Sequence, residues 1–162
     1  MKVFKKILWW IIAIFVMVTI FRFSSEKAVE SAGTSKRFMR VIIDILPFTK
    51  ALSEIAKQEL MESMDFIIRK CAHFTLYAVL GFSVFGAVKS TFMKKVKLNV
   101  IWSFIICVIY AISDEIHQFF VPGRACRVYD IFIDSFGSAF GISFFLIIIF
   151  LLNKFYGNKI KC

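Results

Sequence analysis

Four long apolar stretches constrain the fold of this chain more than any other feature. They cover roughly residues 7–23, 66–88, 98–121 and 131–152. A hydrocarbon core of about 30 Å takes about 20 helical residues to cross, and the last three stretches have that length. The first is shorter, but Phe21 and Phe23 extend it on either side of Arg22. We therefore predict four membrane-spanning helices, because 59% hydrophobic residues are too many for a soluble domain of 162 residues.

Lysine residues near the ends of these stretches predict how the chain lies in the membrane. They cluster before the first stretch, between the second and third, and after the fourth: Lys2, Lys5, Lys6, Lys89, Lys94, Lys95, Lys97, Lys154, Lys159 and Lys161. By the positive-inside rule these regions share one side, so both termini are expected in the cytoplasm. Segment 24–65 and the loop VPGRACRVY at 121–129 then lie outside. Topology and attraction to anionic lipid account for the net charge of +10, so we expect membrane lipids and no nucleic acid as partners.

The first stretch has a second interpretation as a signal peptide, because lysines precede its apolar residues. No clean cleavage site between small residues follows it; the nearest such sequence is around residues 30–32. We therefore expect a retained membrane helix.

Segment 24–65 is acidic and amphipathic. Its apolar residues recur at helical spacing: Phe38, Val41, Ile42, Ile45 and Leu46. Ser35 is predicted to cap the start of this helix and Pro47 to end it, and a second helix is expected from about residue 49 into the second stretch. Such a segment lies on the outer interface or caps the bundle. The predicted fold is all-α: an integral membrane four-helix antiparallel bundle, a single domain over 1–162, with an amphipathic outer segment between the first and second spans.

Polar side chains gather at the predicted outer ends of the last three spans. In the second span, Lys70, His73 and Tyr77 follow at i, i+3 and i+7, so they share one helix face. In the third span, Asp114 and Gln118 share a face, whereas Glu115 points elsewhere. Arg69 and Lys70 also fit a simpler role, in which they reach out to lipid headgroups.

The fourth span begins with acids and small residues. Asp130 is explained by the favourable interaction of an acid with a helix N-terminus, whereas Asp134 lies one turn deeper. Gly137 and Gly141 form a GxxxG, which predicts close packing of two helices.

Carboxylates inside a membrane are costly, roughly 2.5–3.5 kcal/mol each at mid-depth, so they are expected to face partners or a wet cavity. We predict an outward-facing polar pocket, with Arg124 and Arg127 above it. Arginine suits phosphate or carboxylate ligands, which it binds through two parallel hydrogen bonds. The candidate ligand-binding residues are Lys70, His73, Tyr77, Asp114, Glu115, Gln118, Arg124 and Asp134.

These residues lie in stretches that resemble the VanZ-like family of bacterial membrane proteins. The matching stretches are FRFSS at 21–25, RKCAHFTLYAVLG at 69–81, YAISDEIHQFFVPGR at 110–124 and YDIFIDSFGSAFG at 129–141. Segment 26–65 matches only loosely. The resemblance implies a four-helix protein of the bacterial cell membrane, associated with resistance to teicoplanin-type glycopeptide antibiotics. It carries over the eight pocket residues as motif positions, without an established catalytic role.

Three functions remain open from the sequence. The first is binding of an amphiphile, such as a lipid headgroup, a lipid-linked cell-wall intermediate or a lipoglycopeptide. The second is an enzyme acting on a lipid or envelope substrate, with His73 as the base and Asp114 or Glu115 as its orienting acid. In the third, ion pairs of Lys70 with Asp114 and Arg124 with Asp134 only hold the helices together.

No cofactor is expected from the sequence. A metal-dependent enzyme would use His73, Asp114, Glu115 and Asp134 as ligands, but these are spread over three helices. Neither an HExxH motif nor a CxxC pair is present, so no metal site is predicted.

Overall fold

The computed structural model describes residues 2–49, 52–92 and 95–157, and these ranges contain helices and no strand. The α-helices are α1 (Lys2–Ser24), α2 (Ala28–Ile45), α3 (Glu54–Thr91), α4 (Val96–Phe119) and α5 (Val128–Tyr156). A short 3-10 helix, Pro47–Thr49, lies between α2 and α3.

Four of these helices, α1, α3, α4 and α5, are long and apolar enough to cross a membrane. Large apolar side chains cover their outer surface: Phe15 and Phe136 are each 70% exposed, and Phe150 is 66% exposed. Water does not favour so many exposed aromatic rings, whereas lipid does. The predicted all-α membrane bundle with four spans is therefore confirmed.

Contacts along the helices show their directions. Trp10 near the start of α1 donates a 3.1 Å hydrogen bond from Nε1 to Oγ1 of Thr91 at the end of α3, so these two helices are antiparallel. Lys70 on α3 meets Asp130 at the start of α5, and Phe85 meets Phe145 further along both, so α3 and α5 are parallel. Helix α3 contacts each of the other four α-helices and forms the centre of the bundle.

The parallel contact between α3 and α5 depends on small residues. A methyl group added at Gly141 would lie 1.8 Å from the carbonyl oxygen of Ala78, and one at Gly137 would lie 2.4 Å from that of Phe74. A methyl group at Gly81 on α3 would lie 2.2 Å from the carbonyl oxygen of Ser138. The close packing predicted from the GxxxG spacing is thus confirmed, and α3 is its partner.

The main apolar core lies where α1, α3 and α4 meet. Its buried members are Ala13, Val16, Ile20, Tyr77, Leu80, Val84, Val88, Cys107 and Ala111. A second cluster, built on Phe85, Ile142 and Ile149, fills the space between α3 and α5 further along. These clusters fix the rotation of each helix about its axis, and hence the direction in which its polar residues point.

Helix α2 packs against the first part of α3 through Met39, Ile43 and Met61. The prediction that Ser35 caps the start of α2 is wrong: the helix begins at Ala28, and Ser35 lies inside it, where its hydroxyl donates to the Ala32 carbonyl and the Asp65 carboxylate. The predicted end is confirmed, because α2 stops at Ile45, before Pro47. Helix α3 begins at Glu54, with Ser53 accepting a hydrogen bond from the Ala56 amide.

Candidate functional site

Polar residues of α1 and α4 form a buried hydrogen-bonded network. Ser24 Oγ, at the last residue of α1, donates to Oδ2 of Asp114 over 2.8 Å. Gln118 Nε2 donates to the same Asp114 oxygen over 3.1 Å and to Ser24 Oγ over 3.2 Å. All three residues are at least 96% buried. Their hydrogen bonds offset the cost of placing a carboxylate away from water and hold the end of α1 against α4.

The loop between α4 and α5 brings Arg124 back over this network. Gly123 has φ 78°, a left-handed conformation that favours glycine, and the Arg124 amide donates to the Val121 carbonyl over 3.1 Å. The Arg124 guanidinium donates from Nε to the Glu26 carbonyl at 2.9 Å and from Nη2 to the Phe23 carbonyl at 3.1 Å. Arg124 thus caps the carboxyl end of α1, whose last carbonyls lack partners within the helix.

A cationic pocket of about 230 Å³ opens beside Arg124, between α3, the loop and the start of α5. Its charged lining consists of the four cations Arg69, Lys70, Arg124 and Arg127, the single carboxylate of Asp130, and His73. Burial, followed by the charge of Arg69, lowers the pKa of the Arg124 guanidinium. The excess positive charge in a partly buried space favours an anion.

Two of the pocket cations have acidic partners. Lys70 Nζ donates to the carboxylate of Asp130 in the first turn of α5, and Arg69 Nη2 lies 2.8 Å from Asp65 Oδ2. Lys70 therefore pairs with Asp130 and Arg124 bonds the end of α1, in place of the pairs with Asp114 and Asp134 that we predicted for the helix-holding hypothesis.

Next to the pocket, His73, Asp114 and Asp134 converge from α3, α4 and α5. His73 Nδ1 lies 3.6 Å from Asp134 Oδ1, and one ligand atom of each residue lies within 4.8 Å of one from each of the other two. Asp134 is 0% exposed, and neither of its oxygens has a hydrogen-bond partner within 3.5 Å in the described part of the chain. Among the histidine, cysteine and acidic residues in the described ranges, these three form the group whose ligand atoms are close enough together to hold a metal ion.

Glu115 points away from this convergence. It is completely buried, and its Oε2 accepts a 2.9 Å hydrogen bond from the amide of Arg127, just before α5 begins. It therefore positions the loop and the start of α5, and it does not line the cationic pocket. Tyr77 is also fully buried and belongs to the apolar core, with its ring 6.2 Å from that of Tyr110.

A larger apolar groove of about 520 Å³ lies between α1, α2 and α3. Ile20, Phe23, Phe38, Ile68 and Leu76 are among its apolar lining residues. Arg69 and His73 line both this groove and the cationic pocket, so the two spaces adjoin at these side chains. The volume of the groove lies within the range typical of small-molecule sites.

The structure brings most of the sequence-predicted residues to one end of the bundle. Lys70, His73, Gln118 and Arg124 line the cationic pocket, and Asp114 and Asp134 lie beside it.

Sequence reasoning missed Ser24, the hydrogen-bond donor to Asp114, and it explained Arg69 and Asp130 by simpler roles. A signal for Ser24 was present in the family-like stretch FRFSS. For Asp130 the signal was its i, i+4 spacing from Asp134.

The family model described as VanZ/LLP1 matches residues 9–151, which is nearly the whole chain. No match was found among curated proteins or among solved structures.

Proposed function

The chain belongs to the VanZ/LLP1 family, and on that premise we propose that it binds an anionic amphiphile. The acidic headgroup occupies the cationic pocket and the alkyl chain occupies the apolar groove. The observation that carries this proposal is that Arg69 and His73 line both spaces, so one ligand with a charged end and an apolar end fills the two together.

The charges support an anion over a cation or a neutral headgroup. Arg69, Lys70, Arg124 and Arg127 line the pocket with one carboxylate, that of Asp130. Arg69 also pairs with Asp65 outside the lining, and the cations still outnumber the carboxylates. Guanidinium groups bind phosphate and carboxylate oxygens through paired hydrogen bonds, and a partly buried site strengthens this attraction. Phosphate- or carboxylate-bearing lipids and lipid-linked cell-wall intermediates have the required chemistry.

The orientation proposed from the lysine clusters places the pocket in the outer half of the bacterial cell membrane, with both termini in the cytoplasm. A ligand held there is either an outer-leaflet lipid, a lipid-linked precursor or the lipoglycopeptide drug itself. Binding of the precursor or of the drug lowers the contact between a teicoplanin-type antibiotic and its target. This is the route by which we propose that the chain contributes to glycopeptide resistance.

Binding by the purified full chain in detergent tests the first step. Three probes separate headgroup from tail: phosphatidylglycerol, phosphatidylcholine with the same acyl chains, and soluble glycerol phosphate. We expect phosphatidylglycerol to bind most tightly, phosphatidylcholine more weakly and glycerol phosphate most weakly. The affinity for phosphatidylglycerol should exceed that for phosphatidylcholine at least about 10-fold, which corresponds to about 1.4 kcal/mol. Equal affinity for the two lipids would overturn the role of the cationic pocket.

Two substitutions locate the binding. Arg69→Gln removes a cation from the boundary of pocket and groove and is expected to weaken phosphatidylglycerol binding about 10-fold. Arg40→Gln is its control, because Arg40 lies on α2 and pairs with Asp44 and Glu54 outside both spaces. Affinity that falls equally in both variants would indicate attraction by net charge alone.

A cell assay tests the resistance step. Bacteria that express the wild-type chain, Arg69→Gln or Arg40→Gln are compared for membrane abundance and for the inhibitory concentration of teicoplanin. We expect resistance to fall only in Arg69→Gln at equal abundance. If Arg69→Gln loses lipid binding and resistance is unchanged, lipid binding is not the cause of resistance to teicoplanin.

A second candidate, an enzyme acting on a lipid or lipid-linked substrate, is favoured by one contact. His73 Nδ1 lies 3.6 Å from Asp134 Oδ1, so Asp134 is placed to orient His73 as a general base, a role that we predicted for Asp114 or Glu115. Lipid profiles of cells with wild-type chain and with His73→Ala test this. A product that appears only with the wild type indicates chemistry, and identical profiles count against it.

A further inference from the structure

We propose that His73, Asp114 and Asp134 form a binding site for a divalent transition-metal cation such as Zn²⁺ or Mn²⁺. The three side chains come from α3, α4 and α5 and bring one imidazole and two carboxylates together, with their ligand atoms within 4.8 Å of one another. The metal site shares His73 with the proposed amphiphile site, but it rests on different observations and does not depend on amphiphile binding.

The two carboxylates of this group have unmet hydrogen-bonding capacity. Asp134 is 0% exposed and Asp114 is 3% exposed. In the described residues, both oxygens of Asp134 and Oδ1 of Asp114 have no hydrogen-bond partner within 3.5 Å. Two adjacent buried carboxylates with three oxygens that lack a hydrogen-bond partner within 3.5 Å are costly, and a bound divalent cation offsets that cost by direct coordination.

The distances between the three side chains also fit a metal ion. Zinc binds histidine nitrogen and carboxylate oxygen at about 2.1 Å, and tetrahedral geometry then places two ligand atoms about 3.4 Å apart. His73 Nδ1 and Asp134 Oδ1 are 3.6 Å apart, close to that value. The remaining separations do not exceed 4.8 Å, so rotation of side chains brings all three onto one ion without moving the helices.

Neighbouring residues hold these ligands in place. Ser24 and Gln118 both donate to Oδ2 of Asp114, whereas its Oδ1 has no hydrogen-bond partner within 3.5 Å among the described residues. Between α3 and α5, the close approach of Gly137 to the Phe74 carbonyl fixes the spacing of the adjacent residue His73 from Asp134. Hydrogen bonds that orient the ligands are a general property of metal sites.

The ligand set indicates the class of metal. Imidazole favours transition metals, and carboxylates extend the choice to Mn²⁺. Three protein ligands leave at least one coordination position open, as in catalytic zinc sites and unlike closed structural ones. His73 also lines the cationic pocket, so the metal site lies beside the space proposed for an anionic headgroup.

Metal content of the purified full chain tests the site. The tag-free protein in detergent is stripped with EDTA, dialysed against Zn²⁺ or Mn²⁺ and then against metal-free buffer, and its metal is measured by mass spectrometry. We expect close to one equivalent per wild-type chain. We expect Asp134→Asn and His73→Gln to bind at least about 10-fold more weakly, because loss of even a supporting group costs 10- to 100-fold.

Glu115→Gln is the matched control, since Glu115 is equally buried but bonds the Arg127 amide and lies outside the three-residue group. It should keep its metal. Gel-filtration profiles show whether each variant is folded, and visible absorption of the Co²⁺-loaded wild type reports ligand geometry independently of the variants. Less than about 0.1 equivalent in folded wild type, or equal metal in Asp134→Asn and wild type, would overturn the proposal. Equal loss in Glu115→Gln and Asp134→Asn would overturn it as well.

Discussion

Ser24 Oγ donates a 2.8 Å hydrogen bond to Oδ2 of Asp114, a residue 90 positions further along the chain. This contact joins the last residue of α1 to the last turns of α4. Gln118 adds two hydrogen bonds to the same pair, and Arg124 reaches Gln118 Oε1 at 3.5 Å. The end of α1 is thus held by side chains of α4 and of the following loop, which keeps Ile20 and Phe23, two residues that line the apolar groove, in place.

Ser24→Ala should destabilise the protein more than its position at a helix end suggests. The substitution removes a donor from a buried carboxylate, and hydrogen bonds to charged groups contribute about 1.5–3 kcal/mol. We expect a free energy of unfolding lower by about that amount, measured as a reduced thermal midpoint in detergent. Ser25→Ala is the control, because Ser25 is exposed and its hydroxyl bonds the Phe21 carbonyl and His117; a change within about 0.5 kcal/mol is expected there.

Equal midpoints for Ser24→Ala and Ser25→Ala would show that the Asp114 carboxylate finds another donor, such as water. In that case the contacts of Arg124 with the Glu26 and Phe23 carbonyls and of Ser25 with His117 suffice to hold the end of α1.

Gly141→Ala should separate α5 from α3. Its added methyl group would lie 1.8 Å from the Ala78 carbonyl oxygen, which is backbone and cannot rotate away. We expect a clear loss of monodisperse protein in gel filtration. Gly33→Ala is the control, because nothing lies within 4 Å of the added methyl group, and alanine raises helix stability by about 0.8–1 kcal/mol. A wild-type profile for Gly141→Ala would contradict the close packing of these two helices.

Much of the fold was predictable from the sequence because a membrane-spanning helix is identified by its length and its apolar composition. All four spans are present, and the GxxxG of α5 packs closely as expected. The same reasoning misplaced the start of α2: Ser35 has the chemistry of a cap, but in the structure it bonds Asp65 of α3 from inside the helix. A capping preference is a local property, and a tertiary partner outweighed it.

The candidate site was only partly predictable, for a related reason. Spacing tells which residues share a face of one helix, and so it grouped Lys70 with His73 and Asp114 with Gln118. It does not tell how two helices are rotated against each other. That rotation, set by the packed cores, places Asp134 nearest to His73 and turns Glu115 toward the Arg127 amide.

Arg124→Lys should loosen the end of α1 although the charge is kept. The guanidinium donates from two nitrogens to two carbonyls, those of Glu26 and Phe23, and one ammonium group cannot reproduce that fork. We expect faster proteolysis of the segment after Ser24 and a stability loss of about 1–3 kcal/mol. Arg127→Lys is the control, because the substitution leaves unchanged the backbone amide that donates to Glu115. If both variants are cleaved equally fast, the faster cleavage results from disturbance of the loop and not from loss of the two hydrogen bonds of Arg124.

Exchange of the charges of Lys70 and Asp130 should separate folding from binding. Asp130→Lys alone adds a cation to a pocket that already holds four, so we expect lower membrane abundance. The double variant Lys70→Asp with Asp130→Lys restores the ion pair and should recover most of that abundance. Recovery should stay incomplete, because a lysine in the first turn of α5 opposes the helix dipole by about 0.3–1 kcal/mol.

Binding of phosphatidylglycerol should remain several-fold weaker in the double variant, since its new carboxylate lies beside Arg69 at the boundary with the apolar groove. Wild-type affinity in the double variant would mean that the position of the cation is immaterial, and that Lys70 serves only to hold α3 against α5.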